Sequence, residues 1–229
     1  MRYQKPVEIA ANVDEMPEGT DHIGVCVCTY KRSHMLPQLL EQLQIQKTED
    51  RFRYSLHFVD NDPLKSAERV VVDISRNAKI QVTYDHEPIQ NIALARNLAV
   101  LVAKGNLIAF LDDDELPCDE WLLQLWLRLQ KSVAAGVLGP VRPFFPRGAP
   151  RWLVRSGLCE RPSHPTGIEL DFWQTRTGNV LFKRSILGPT DAPFPPEKGL
   201  TGGEDIAFFR MMMERGYAFI WCEEAPVYE

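Results

Sequence analysis

Apolar and polar positions along the chain change period repeatedly. Residues 23–28 (IGVCVC) form a short apolar run that stops at Thr29-Tyr30-Lys31-Arg32. From Ser33 onward, Leu36, Leu39, Leu40 and Leu43 recur at the spacing of one helical face, so strand, loop and helix are expected in that order. Residues 54–59 (YSLHFV) repeat the strand pattern and are broken by Asp60-Asn61-Asp62-Pro63. Ala67, Val70, Val71 and Ile74 then return to helical spacing, and residues 80–84 make a third strand candidate. Residues 91–103 (NIALARNLAVLVA) read as a mostly buried helix closed by Lys104-Gly105. Residues 107–111 (LIAFL) read as a fully buried strand ending in Asp112-Asp113-Asp114-Glu115, and a helix over about 119–131 carries Trp121, Leu122, Leu125 and Leu129 on its apolar face. Strands alternating with helices at this spacing predict an α/β fold around a parallel sheet.

The pattern changes near Gly139. Ten of the 17 prolines lie between Pro140 and Pro196, which predicts a loop-rich second half with one strand-like run over 179–182. Order returns at Gly202-Gly203-Glu204-Asp205, which opens a helix to about Arg215, and residues 217–222 are a last strand candidate. Residues 1–21 are polar and aperiodic and are expected to form an arm. The organisation is therefore an arm followed by one domain over 22–229, divided into halves at 138/139.

Composition adds little to this picture but excludes several classes. With 229 residues, 45% hydrophobic and 25% charged, the chain is an ordinary globular sequence. No stretch approaches the roughly 20 apolar residues of a membrane span, and the N-terminus lacks the apolar region of a signal peptide, so a cytoplasmic protein is expected. A net charge of -5 gives no electrostatic reason for a nucleic-acid partner. The five cysteines have no Cys-x-x-Cys spacing and are expected to be reduced thiols, with Cys26 and Cys28 as small strand residues.

In an open parallel sheet, ligands bind outside the carboxyl ends of the strands. The clusters 29–32, 60–62 and 112–114 each follow a predicted strand and are expected to converge there. Asp112, Asp113 and Asp114 carry the strongest signal. If the strand runs through them, its period of two puts Asp112 and Asp114 on one side and Asp113 on the other. Three adjacent carboxylates repel unless a cation sits among them, and a magnesium or manganese ion held by one or two carboxylates, water and phosphate fits that need. A solvated acidic turn is the plain alternative.

Glu204 and Asp205 follow two glycines at a helix start. Simple capping accounts for them; a general base that takes a proton from an attacking hydroxyl is the functional reading. Tyr30, Lys31 and Arg32 offer a π-face and cations, and Asp60 and Asp62 offer acceptors. Arg96, in an otherwise apolar helix with Asn91 and Asn97, needs an anion, which a structural carboxylate supplies as well as a phosphate. His22, His34, His57, His86 and His164 have no ligand spacing. Met211-Met212-Met213 reads as core packing, and Trp152 and Trp173 are either buried or exposed for stacking on a sugar.

Taken in order, Cys28-Thr29-Tyr30-Lys31-Arg32, Val59-Asp60-Asn61-Asp62, Ala95-Arg96-Asn97, Phe110-Leu111-Asp112-Asp113-Asp114 and Gly202-Gly203-Glu204-Asp205 resemble the family 2 glycosyltransferases of GT-A fold, from about residue 22 to 229. Leu138-Gly139-Pro140-Val141, Ala149-Pro150-Arg151-Trp152, Arg176-Thr177-Gly178-Asn179 and the final Glu224-Ala225-Pro226-Val227-Tyr228-Glu229 resemble the branch containing the succinoglycan-type glucosyltransferases of bacterial exopolysaccharide assembly. The resemblance implies an α/β, Rossmann-like sheet and an inverting enzyme. Such an enzyme moves a sugar, glucose in this branch, from a UDP-sugar to an acceptor hydroxyl with Mg2+ or Mn2+.

Carried over, Tyr30 and Asp60 would contact the uracil, with Thr29 and Arg32 nearby, and Asn91 and Arg96 would line the nucleotide pocket. Asp112 and Asp113 would face ribose and diphosphate, and the metal would take Asp114, with Asp112 as the further candidate. The middle position of the triplet is also Asp here, which leaves the metal pair open. Asp205 would be the base and Glu204 would orient the acceptor, with Gly178, Asn179 and Gly203 on the acceptor side. The implied acceptor is a saccharide, lipid-linked in the branch, which admits peripheral association with the inner face of the cell membrane. A sugar nucleotidyltransferase is the nearest rival, but residues 28–32 contain no glycine to cradle a triphosphate. A silent nucleotide- or carbohydrate-binding module is the other.

Overall fold

The computed structural model describes residues 7–9, 19–188 and 192–229. Its centre is an eight-stranded sheet. In chain order the strands are β1 (Val7–Ile9), β2 (Asp21–Thr29), β3 (Phe52–Asp60), β4 (Val82–His86), β5 (Leu107–Leu111), β7 (Gly136–Leu138), β9 (Asn179–Lys183) and β10 (Phe219–Trp221), arranged β1-β4-β3-β2-β5-β9-β7-β10. The short strands β6 (Leu116–Pro117), β8 (Val141–Arg142) and β11 (Val227–Tyr228) make a second sheet in the order β6-β11-β8. The helices are α1 (Leu36–Gln44), α2 (Glu68–Ser75), α3 (Ile92–Val102), α4 (Trp121–Gln130), α5 (Arg151–Ser156) and α6 (Glu204–Glu214).

The expected α/β class and the order of the main elements hold. Strands β4, β3, β2 and β5 are mutually parallel, as are β7 and β10. Two departures matter. β9 runs antiparallel to both β5 and β7, so the sheet is mixed. Residues 7–9, inside the expected arm, pair antiparallel with β4 and extend its edge; the remainder of that arm up to residue 18 lies outside the described residues.

Alternation along the strands sorts the core into two layers. Ile23, Val25 and Val27 of β2 pack with the leucines of α1 and with Val71, Trp121, Leu125 and Leu129. The other face puts Cys26, Ile108 and Phe110 against α3 and α6. Leu36, Leu39, Leu40 and Leu43 are all fully buried, each stabilising the fold by about 1.5–3 kcal/mol relative to exposure. Met212 joins the second layer with Phe208 and Phe209, as expected of core packing. The five cysteines are free thiols, and burial pushes those of Cys26 and Cys28 upward, Cys28 to about 12. Among the described residues, no helix is long and apolar enough to cross a membrane.

A polar chain runs through the sheet near the carboxyl end of α3. His22 Nε2 lies 2.9 Å from Ser55 Oγ, Ser55 Oγ lies 2.8 Å from His57 Nε2, and His57 Nδ1 lies 2.9 Å from Thr83 Oγ1. Burial is the first cause that lowers both imidazoles, His22 to about 4 and His57 to about 3, and neighbouring cations reinforce it. Both values lie below the ordinary histidine value. Between that value and the folded ones the unfolded chain binds protons that the folded chain does not, so these groups cost stability as pH falls through that window. Urea unfolding of wild type and His57→Gln between pH 4 and 6.5 is expected to show a shallower pH slope for the variant, by about one proton. Identical slopes would contradict the assignment.

Candidate active site

The carboxyl ends of β2 and β5 and the amino end of α3 surround a cavity of about 470 Å³. Cys28 and Thr29 line it from the end of β2, Tyr30 and Arg32 from the loop that follows, Asn61 from the loop after β3, and Asp112, Asp113 and Asp114 from the turn after β5. Gln90, Asn91, Ile92, Gly199, Leu200 and Glu229 complete the wall. Of the three clusters expected to converge, 112–114 does so fully and 29–32 does so apart from Lys31. The third contributes Asn61.

The acidic triplet is not a continuation of the strand. β5 stops at Leu111, and the Glu115 amide donates to the Asp112 carbonyl at 3.2 Å to close a turn, so the two-sided alternation expected of 112–114 does not occur. Asp113 and Asp114 share Arg32 instead. Arg32 Nη1 lies 3.1 Å from Asp113 Oδ1 and 2.5 Å from Asp114 Oδ2, while Thr29 Oγ1 donates to Asp113 Oδ2 at 2.7 Å. Asp112 turns the other way, 3.6 Å from Arg96 Nη2.

Burial is the main cause that raises the Asp113 carboxyl, with Thr29 and Arg32 opposing it. Asp112 is raised by its surroundings and by the carboxylates of Asp114, Asp113 and Asp205, against the pull of Arg96. Glu115, buried beneath them, is raised furthest, by burial and by Asp112. The cluster is short of positive charge. Asp112 and Asp114 are hard oxygen donors and suit a divalent cation whose other positions are filled by water and phosphate oxygens. Among the described residues no group of three or more His, Cys, Asp or Glu could hold a metal, so a closed structural metal site does not fit.

Arg96 has found its anion. Its Nη1 pairs with the buried Glu204 at the start of α6, so the guanidinium lies between Glu204 and Asp112. Gly203 precedes Glu204 in the left-handed region at φ 89°, a conformation that favours glycine and turns the chain into α6. Asp205 is partly exposed. Its Oδ1 accepts from the Ile206 amide at 2.8 Å, and among the described residues Oδ2 has no hydrogen bond. Glu204 is thus held inside, while Asp205 is partly exposed and near enough to Asp112 for its charge to help raise that carboxyl; neither of the two lines the cavity wall.

Several residues expected at the ligand also hold the scaffold together. Asp60 is fully buried, and its oxygens accept from the amides of Asp62 and Ala67 and from the Tyr84 hydroxyl, so it shapes the loop that presents Asn61. Asn91 caps α3 by accepting from the Ala93 and Leu94 amides and donates to the Pro196 carbonyl, tying the 196–203 segment to the cavity wall. Asn97 bonds the backbone of Phe194 in both directions. Asn179 is fully buried, accepting from Trp121 Nε1 and donating to the carbonyls of Pro140 and Ala225. Gly178 sits against the acids: a Cβ there would lie 2.6 Å from Glu115 Oε1 and 3.0 Å from Asp112 Oδ2.

Sequence reasoning gave no role to Gln90, Glu115 or Arg176, and included Asn61 only as a member of the 60–62 cluster. Arg176 is half-buried among the charges of Glu115, Glu229 and Asp112. Its place in the Arg176-Thr177-Gly178-Asn179 motif was the available signal.

Removing Arg96 would strand Glu204 without a partner. Arg96→Met is expected to cost about 3–5 kcal/mol in urea unfolding, and adding Glu204→Leu is expected to restore part of that loss. A single variant within about 1 kcal/mol of wild type would show that the pair does not hold α6.

The comparisons with known proteins follow this geometry. The family model described as "Glycosyl transferase family 2" matches residues 24–188. The "Succinoglycan biosynthesis protein ExoM" of Rhizobium meliloti (strain 1021) is 36% identical over 220 residues, covering 93% of this chain and 68% of that protein. Among solved structures, S. aureus TarS 1-349 superposes with a TM-score of 0.68 at 19% identity, over 90% of this chain and 60% of that one. The same TarS fragment in complex with UDP-GlcNAc gives a TM-score of 0.67 at 19% identity, over 91% of this chain and 58% of that one. The fold is therefore that of the GT-A enzymes, and the chain belongs to glycosyl transferase family 2.

Proposed function

We propose that this glycosyltransferase moves a sugar from a UDP-sugar to an acceptor hydroxyl with inversion, aided by Mg2+ or Mn2+, in the assembly of a bacterial exopolysaccharide. Glucose is the donor sugar we assign from the branch resemblance. The observation that carries the reading is the meeting of α6 with the acidic turn: Arg96 holds both Glu204 and Asp112, and the next residue of α6, Asp205, lies within electrostatic reach of Asp112. The kinship with ExoM supports a role in exopolysaccharide assembly, and the UDP and UDP-GlcNAc complexes of TarS support a uridine-diphosphate donor.

In this reading the nucleotide base lies along Tyr30 and Asn61, with Gln90 at the wall. Arg32, released from one of its two aspartates, supplies a cation to the diphosphate, and Asp113 stays with Thr29 to fix the loop. Asp112 and Asp114 would hold the divalent cation, which when bound supplies positive charge for the departing diphosphate. Asp205 takes the acceptor hydroxyl's proton at its free oxygen, as that hydroxyl attacks the sugar on the face opposite the diphosphate. Glu204 is a positioning residue: its pairing with Arg96 orients the first turn of α6 and hence Asp205.

UDP release from a panel of UDP-sugars, with Mn2+, Mg2+ or EDTA and a saccharide acceptor, tests this. Asp205→Asn is expected to bind UDP nearly as wild type does and to lose on the order of 10²–10⁴-fold in transfer. Normal turnover by that variant would remove Asp205 from the base role. Asp114→Ala is expected to weaken UDP binding in the presence of metal and leave binding in EDTA unchanged. An unaltered metal dependence would move the ligand to Asp112 or Asp113.

A further inference from the structure

We infer that the 142–161 segment, centred on α5, is a docking surface for an anionic lipid bilayer. The helix buries none of its residues. Trp152 is 66% exposed and Leu158 75% exposed, and Phe144 and Val154 stand out of the same segment. A helix so poorly packed on its own protein is not held in place by its apolar side chains, and these four exposed residues all fall within residues 144–158.

The charge of the segment is opposite to that of the chain. Residues 142–161 contain five arginines and one acidic residue, Glu160, in a protein of net charge -5. Arg142 and Arg161 are paired, with Glu223 and Glu229. Among the described residues Arg147, Arg151 and Arg155 have no ion-pair partner, and Arg151 and Arg155 lie one helical turn apart, on either side of Trp152. Interleaved arginines and large apolar side chains are what an interfacial segment needs: guanidinium groups for lipid phosphates, a tryptophan for the headgroup level, aliphatic and phenyl groups for the acyl boundary. A nucleic acid would use the arginines but gains nothing from Leu158 and Val154. A bilayer uses both sets.

The segment also borders the cavity. Arg142, Cys159, Arg161 and Glu229 line a groove, and Glu229 reaches the wall of the donor site as well, so a membrane-bound protein would hold the mouth of its cavity close to the lipid surface. The docking itself does not depend on the proposed chemistry.

Co-sedimentation of the full chain with phosphatidylcholine vesicles, and with vesicles containing 30% phosphatidylglycerol, tests the inference without any donor or acceptor. The expected result is binding to the anionic vesicles that falls with added salt and weak binding to the neutral ones. Arg147→Gln/Arg151→Gln/Arg155→Gln is expected to lower partitioning about a hundredfold, at roughly fivefold per arginine. Trp152→Ser/Leu158→Ser is expected to lower it at least tenfold. Both variants should unfold at the wild-type temperature and hydrolyse UDP-sugar in solution as wild type does, because the substituted side chains are exposed and lie outside the cavity lining. Equal binding of wild type to both vesicle types, no binding to either, or variants that bind like wild type would overturn the inference. So would light scattering that shows a dimer lost in Trp152→Ser/Leu158→Ser, since a second copy would then occupy the surface.

Discussion

A guanidinium buried in an otherwise apolar helix organises this protein. Arg96 could not remain on α3 without an anion, because the cost of desolvating its charge is several kcal/mol. It meets that requirement with Glu204 from α6 and Asp112 from the turn after β5. Three elements far apart in sequence are therefore fixed relative to one another by one side chain. Asp205 follows Glu204 in the first turn of α6, so the same pair anchors the turn that carries it.

The same electrostatics runs through the rest of the site. Asp112, Asp113, Asp114, Glu115 and Asp205 gather around Arg32, Arg96 and Arg176; burial first, and neighbouring carboxylates second, raise the Asp112, Asp113 and Glu115 carboxyls. A site in this condition favours ligands that arrive with cations. Arg32 itself is half-exposed, while the two aspartates it holds are largely buried.

Much of this was legible in the sequence, and the remainder was not, for identifiable reasons. The helical leucines of α1, the buried runs of β2 and β5 and the asparagine that opens α3 are local signals, and each produced the expected element. The expected side for each aspartate of 112–114 failed because it assumed the strand continued, whereas the chain turns one residue after Leu111. Asp60 and Asn179 carry the polar chemistry of ligand-binding residues, yet beside Asp60's local partners Asp62 and Ala67 they bond Tyr84, Trp121, Pro140 and Ala225, 24 to 58 positions away, and nothing local announces those bonds. The strands β6, β8 and β11 have two residues each, too few for any periodicity to register.

The reversed direction of β9 has a further effect. In the parallel strands, side chains reach the functional edge of the sheet only after the strand has ended, on loops that can lengthen or drift without disturbing the core. β9 points the opposite way, and Asn179 stands beside Leu111 at that same edge. The residues that meet the acidic turn from this side, Arg176 and Gly178, lie just before the strand begins and lead straight into the hydrogen-bonded ladder. One side of the site is thus assembled from adjustable loops. The other is set in register with the core, so a shift of β9 by a single residue would move the floor of the site and reverse the two faces of the sheet together.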